Sequence, residues 1–308
     1  MSKINLLATR NQIKIRKAMS KRSIRQVKAA VANGHTNGKV SAPPLALPTE
    51  FISYHDAHFI KAVEHLLKID NTLYDSVVQG PFERFKKKEA DPVANDLGYY
   101  FSKIIDGIIS QQISGKAAAS IKKKVTDHFQ QAGGELTQYR LVAEEDATVM
   151  RGLGLSARKV QYTKDIARAF IEEEDSLLEF FFECSEEELF KKMIAWKGIG
   201  PWSVTMFSVF SLNKMDCFTV LDLGVVRGAS KYLQARPELL AELKDEVAQL
   251  EKTKKKKAKK QAVSSNKKWI AVDEQIIERL AERFQPYRTA LMVMFWRIGS
   301  VDLQVLES

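Results

Sequence analysis

An all-α fold is what this sequence predicts, on three observations. Apolar residues recur at helical spacing over most of the chain, no stretch alternates strongly enough to be a strand, and glycines and prolines punctuate the periodic stretches. Taken in order, residues 1–48 are polar and basic and end in Ser41-Ala42-Pro43-Pro44. They carry little apolar surface to offset the entropy of ordering, so they are expected to be a disordered basic extension. Order is expected from about Pro48, with Thr49 capping a helix that runs through Phe51, His55, Phe59 and Val63. From Leu97, the residues Phe101, Ile104, Ile105, Ile108 and Ile109 form one stripe. Ala117, Ile121, Val125 and Phe129 form the next, stopped by Gly133-Gly134. Val160, Ile166 and Phe170, then Leu189, Met193 and Trp196, continue the pattern. After Pro201 a long apolar helix passes through Val204, Phe207 and Phe210. An exposed helix end and a lysine-rich loop fill the stretch from about Lys244 to Lys268. Residues 273–299 hold two further helices, broken near Pro286, and no repeat of 20–50 residues is evident.

The bulk numbers exclude several classes. A hydrophobic fraction of 45% can fill a core, yet no apolar run approaches the roughly 18–20 residues of a membrane-spanning helix. Two cysteines, Cys184 and Cys217, cannot supply a disulfide framework or a four-cysteine zinc or iron–sulfur site, and they read as buried thiols in a reducing compartment. The net charge of +10 is unevenly placed. Residues 1–49 carry ten Lys/Arg and no acid, and residues 252–268 carry nine Lys and no acid. The remainder holds 29 basic against 38 acidic residues, so the basicity sits in two appendages on an acidic body. Such appendages suit a polyanion and are expected to add salt-dependent affinity for nucleic acid, although lysine runs are as often simply solvated loops. The Lys254–Lys260 run matches a nuclear import signal, while the acid-free N-terminus also fits a mitochondrial presequence. The expected location is the nucleus, with a mitochondrial fraction left open.

The informative stretch is Trp196-Lys197-Gly198-Ile199-Gly200-Pro201-Trp202. A helix ends, two glycines make a tight turn, and a new helix starts with proline in its first turn. Glycine is needed where φ turns positive or where a ligand approaches the backbone. The free N–H groups at the new helix start suit a DNA phosphate, which places Lys197, Gly198, Gly200 and Ser203 as phosphate-binding candidates. Alone, such a turn also reads as a plain helix–helix connector. Asp222 follows 24 residues after Gly198, in Thr219-Val220-Leu221-Asp222-Leu223-Gly224-Val225-Val226-Arg227-Gly228. Taken alone, Asp222 reads as the cap of a helix beginning at Leu223.

The combination resembles the helix-hairpin-helix DNA glycosylase superfamily, in which a Pro-Gly-Ile-Gly-like hairpin precedes a catalytic aspartate at this distance. Two further matches are Ser110-Gln111-Gln112-Ile113-Ser114-Gly115-Lys116-Ala117-Ala118 and Pro286-Tyr287-Arg288-Thr289-Ala290, the latter leading to Phe295-Trp296-Arg297. Together they look like the fungal 3-methyladenine DNA glycosylases, relatives of a bacterial alkylpurine enzyme, over roughly residues 48–308. The resemblance implies a two-lobed all-α fold with the active site in the cleft between lobes. Residues 49–97 plus 215–308 would form the terminal lobe and residues 98–214 the central lobe carrying the hairpin.

The resemblance also implies the chemistry. Asp222 is the catalytic carboxylate, stabilising an oxocarbenium-like sugar or orienting a water. Trp202, Trp296, Met206 and Leu223 occupy base-pocket positions, two of them non-aromatic here. Electron-rich rings attract a cationic alkylpurine flipped from the duplex. Gln112 stands at the wedge that fills the vacated place. Strand-cleaving relatives carry a Schiff-base lysine where this chain has Trp202, so the resemblance implies base removal without strand cleavage. Lys197 replaces the usual hairpin proline. The carbonyls of Ile194, Trp196 and Ile199 match positions that bind a structural Na+ or K+ in relatives, and no other cofactor is implied. The expected partner is double-stranded DNA with alkylated bases, bound by a monomer. A non-catalytic helix-hairpin-helix DNA-binding protein, a glycosylase for another lesion, and a chromatin or RNA adaptor acting through its lysine tails are the rival readings. The first has no use for Asp222, the missing lysine and cysteines disfavour two branches of the second, and the third makes residues 1–48 indispensable.

Overall fold

The computed structural model describes residues 46–87, 96–131, 138–253 and 270–299. The extension over residues 1–45, the Gly133-Gly134 stop and the lysine loop from residue 254 lie outside the described residues. Among the described residues the regular elements are helices, apart from one isolated antiparallel bridge between His55 and Lys86. Fifteen α-helices are described in order: α1 Thr49–Tyr54, α2 Ala57–Ile69, α3 Tyr74–Val78, α4 Leu97–Ser110, α5 Gly115–Gln131, α6 Tyr139–Glu144, α7 Ala147–Gly152, α8 Ala157–Glu172, α9 Glu174–Glu183, α10 Glu186–Ile194, α11 Pro201–Phe210, α12 Leu223–Gln234, α13 Pro237–Thr253, α14 Glu274–Glu282 and α15 Arg288–Ile298.

The first helix departs from the sequence expectation. Thr49 is its first residue rather than its cap; Pro48 precedes it and no side chain caps the end. The stripe is then broken at His55, and α2 restarts with the Asp56 carboxylate accepting from His58 N at 2.8 Å. The break has a local cause. His55 Nδ1 bonds the Phe51 carbonyl at 2.8 Å, and its Nε2 accepts from Phe82 N at 2.9 Å. The Asp56 N–H meanwhile donates to the Phe85 carbonyl. The chain gives up one helical turn to tie the 82–87 segment to the lobe. Phe59 and Phe85 stack face to face behind this joint, with centroids 4.1 Å apart.

His55 is buried, and burial pulls its imidazole below the ordinary 6.5, against the raising effect of the Phe51 carbonyl. A histidine held neutral in this way contributes stability that is fully present above about pH 6.5. That contribution is lost as pH falls through the lowered folded value, because the unfolded chain binds the proton first. Thermal melts between pH 7.5 and 5 should therefore fall more steeply for the wild type than for His55→Asn. Parallel curves would contradict this assignment.

Two apolar clusters organise the molecule. One gathers Phe51, Phe59, Leu66, Phe82 and Phe85 with Val225, Ala229, Leu233, Ile277, Phe284, Leu291, Phe295 and Trp296. The other gathers Phe101, Ile105, Ile108, Ile109, Val125, Phe129, Val160, Phe170, Phe181, Leu189, Met193 and Phe207. The first draws on residues 47–85 and 209–296, the second on residues 97–207, and α11 gives Val204 and Phe207 to one cluster and Val209 to the other. In the first cluster α12 packs along α15. Gly228 makes it possible: a Cβ there would lie 1.8 Å from the Phe295 carbonyl oxygen.

Candidate active site

The hairpin is built by its glycines in two different ways. Helix α10 ends at Ile194, and Trp196 N and Ile199 N close successive turns on Met193 O and Trp196 O, both at 3.1 Å. Gly198 has φ +94°, and an added Cβ would sit 2.4 Å from Tyr162 Cδ2, so both backbone and packing require glycine. Gly200 is ordinary extended backbone with open space where a Cβ would point. Its role is to cap α11 without a side chain: no side chain closes that helix start, and Pro201 stands in the first turn. The first-turn N–H groups of α11 thus face an unobstructed approach, the arrangement an anion uses at a helix N-terminus. Lys197 is exposed beside it and Ser203 is half-buried.

Asp222 sits at the start of α12, where it is the helix cap and also meets two indoles. Its Oδ1 caps the helix by accepting from Val225 N at 3.0 Å. The same oxygen accepts from Trp296 Nε1 at 2.8 Å, and Oδ2 accepts from Trp202 Nε1 at 3.0 Å. A cap alone needs one bond. Two indole donors from different helices fix the carboxylate plane, while the residue remains partly open to solvent. Such donors remove its rotational freedom.

The loop that delivers Asp222 is fastened at its other end. Arg288 Nε and Nη2 grip Asp216 Oδ1 and Oδ2 at 2.7 and 3.0 Å, and Nη2 also reaches the Asp216 carbonyl. The hydrogen bonds that it donates to Asp216 raise the Arg288 guanidinium above its ordinary range and keep it charged. Thr289 Oγ1 donates to the Lys214 carbonyl and accepts from Cys217 N, and Thr289 N donates to the Met215 carbonyl. The Pro286–Ala290 motif therefore does structural work for the site: it pins residues 214–217 to the start of α15, whose far end carries Trp296.

A cavity of about 330 Å³ lies between α4, α5, α11 and Arg84; Asp222 is not on its wall and is linked to it through Trp202. Trp202, Met206 and Ser203 line it, with Ile104, Ile113, Ile199, Phe207 and Phe210. Trp202 is therefore shared, its ring on the cavity wall and its N–H on Asp222. Of the other residues predicted from sequence, Trp296 is fully buried and stacked on Phe210, with centroids 5.7 Å apart. It offers no open face and acts here as the donor that orients Asp222. Leu223 is 51% exposed and is not part of the cavity wall. Gln112 is exposed in a loop next to Ile113, with left-handed φ of 58°. The neighbouring Gln111 Nε2 donates to the Gly198 carbonyl at 2.8 Å, which joins that loop to the hairpin. Of the carbonyls considered for a cation, that of Trp196 accepts from Ile199 N. Among the described residues, no cluster of three or more His, Cys, Asp or Glu could hold a metal.

Several polar groups on the cavity wall were not foreseen. Arg84 lies over the Phe210 ring at 5.0 Å, and Asp106 faces Lys122 at 4.0 Å. Burial raises the Asp106 carboxyl, while Lys122, Lys103 and Arg84 pull it back. A charged residue inside the apolar stripe of α4 was the available signal. Nothing local in the sequence marked Arg84.

Comparison with known proteins places this geometry. Residues 105–256 match the family described as HhH-GPD superfamily base excision DNA repair protein. A DNA-3-methyladenine glycosylase of Saccharomyces cerevisiae is 35% identical over 269 residues, covering 85% of this chain and 87% of that protein. A DNA-3-methyladenine glycosylase of Schizosaccharomyces pombe is 32% identical over 139 residues, covering 45% of this chain and 60% of that protein. The fold is shared with a solved 3-methyladenine DNA glycosylase of Schizosaccharomyces pombe in complex with abasic DNA. That match has a TM-score of 0.52 and 24% identity, over 77% of this chain and 95% of that one. With its hairpin, its carboxylate on the following helix and a relative alike over nearly its whole length, the chain belongs to the HhH-GPD superfamily of base excision DNA repair proteins.

Proposed function

We propose that the protein hydrolyses the N-glycosidic bond of alkylated purines in double-stranded DNA, releasing 3-methyladenine and 7-methylguanine and leaving an intact strand with an abasic site. The observation that carries this reading is the Asp222 carboxylate, fixed by Trp202 and Trp296, with Trp202 also lining a cavity. An N-alkylated purine in DNA carries positive charge, so it departs readily and takes the C1′–N bonding electrons with it as a neutral base. The developing charge is then on the sugar. A fixed anion at that point lowers its energy. Water adds its oxygen to C1′ and gives up a proton, with Asp222 placed to orient or accept. The flipped base stacks on Trp202 in a cavity whose size lies at the lower end of ligand pockets, roughly 300–1,000 Å³. Met206 lets the wall adapt.

The remaining parts follow the same reading. The α11 N-terminus with Lys197 and Ser203 takes a phosphate beside the lesion, and Gln112 fills the space the base leaves. A monovalent cation fits a loop that offers only main-chain oxygens, Ile194, Trp196 and Ile199; the Trp196 carbonyl keeps a second lone pair for it. The protein works as a monomer, in the nucleus with a mitochondrial fraction. The test is to incubate the protein with methylated duplex DNA and separate the released bases by chromatography. The two methylated purines are expected. A folded protein that binds the duplex and releases neither would refute the reading.

A further inference from the structure

Gln112 is held in a left-handed conformation, φ 58°, that a residue bearing a Cβ adopts only at a cost. Such a residue persists only where its surroundings over-determine it. One side chain bonds the backbone just ahead of it. Lys159 Nζ donates to the Ile109 carbonyl at 2.7 Å and to the Gln111 carbonyl at 2.8 Å, the two acceptors that bracket the end of α4. The last carbonyls of a helix lack intrahelical partners and sit at the negative end of its dipole, so a compact ammonium with several donors fits them well.

The same helix supports the hairpin. Tyr162, three residues after Lys159 on α8, packs against the place where a Gly198 Cβ would be. Residues three apart share a helix face. Gln111 Nε2 then ties the two supported pieces together through the Gly198 carbonyl. Three links form a closed ring: α8 to the wedge loop through Lys159, wedge loop to hairpin through Gln111, hairpin to α8 through Tyr162. Loops joined in this way cannot shift independently.

We propose that Lys159 is a positioning residue, which holds Gln112 in its insertion-ready conformation and makes the wedge and the phosphate-gripping hairpin one rigid body. When the hairpin seats on a phosphate, the wedge is then already at the depth at which it enters the base stack. The proposal rests on the reading of the protein as a base-flipping glycosylase with Gln112 as its wedge.

The test compares Lys159→Met, which keeps the apolar stem and removes the ammonium, with wild type on two duplexes. One carries the lesion opposite its normal partner; in the other the lesion faces an abasic gap, where no base is orphaned and the wedge has little to do. Displacement of reacting groups by about an ångström can cost on the order of a hundredfold. Excision from the paired duplex should therefore fall roughly ten- to a hundredfold, and excision opposite the gap no more than about threefold. Gln112→Ala added to Lys159→Met should cost little more on the paired duplex, because the two residues act as a unit. Equal losses on both duplexes, or additive losses in the double variant, would overturn the proposal. If Lys159→Met does not fold, Gln111→Ala, which severs only the link to Gly198, decides on the same two duplexes by the same criterion. A wild type that releases no base from either duplex would count against the glycosylase reading instead.

Discussion

Asp222→Asn should abolish most excision while leaving the fold and duplex affinity close to wild type. The amide keeps a carbonyl oxygen able to cap α12 through Val225 N, so the stability change should stay below about 1 kcal/mol. It keeps the shape but loses the charge, and it cannot accept at both positions from the two indoles. Removing one fixed electrostatic partner of a transition state costs on the order of 10²–10³ in rate. A full charge facing an oxocarbenium-like sugar should reach at least the upper end of that range. Single-turnover excision rates at saturating enzyme, alongside thermal melts, check both halves of the expectation. A variant that keeps more than about a tenth of the wild-type rate would mean that another group stabilises the sugar.

The second large effect is on stability. Gly228→Ala places a methyl group 1.8 Å from the Phe295 carbonyl oxygen, and backbone, unlike a flexible side chain, cannot turn away. Helices α12 and α15 must separate. Overpacking of this kind costs typically 1–3 kcal/mol, and a backbone clash between two packed helices lies at or above the top of that range. For a chain of this size that is roughly a five-degree fall in melting temperature. Function should suffer too, because α12 begins at Asp222 and α15 carries Trp296; parting the helices pulls the carboxylate from its 2.8 Å donor. A melting temperature within about two degrees of wild type would show that the helices do not approach as closely as described.

The helices were legible in the sequence wherever one apolar stripe served one core, as in α4, α5 and α8. The stripe through Phe51, His55, Phe59 and Val63 was legible as apolar spacing but not as two helices. The break depends on Phe82 and Phe85, whose main-chain groups reach His55 and Asp56 only after folding. The short α6 and α7 gave no comparable pattern. At the site, the hairpin and Asp222 were readable because glycine, proline and aspartate each carry a local backbone requirement. The separate roles of the two glycines were not, since only Gly198 meets Tyr162. Trp296 illustrates a further limit. Resemblance marks it as pocket; in the structure it is fully buried and donates a hydrogen bond to a residue 74 positions away. The Arg288–Asp216 grip is likewise a pairing across 72 positions. Residue type could mark Arg288 as notable, but not name its partner.

The decisive measurement incubates a duplex carrying a single 7-methylguanine with the wild-type protein. Free base and strand integrity are then read from the same reaction. The predicted result is stoichiometric release of 7-methylguanine, with a strand that stays whole until alkali cleaves it at the abasic position. A strand left uncut by alkali with no base released, or one cut by the protein itself through an adduct that borohydride traps, would contradict it.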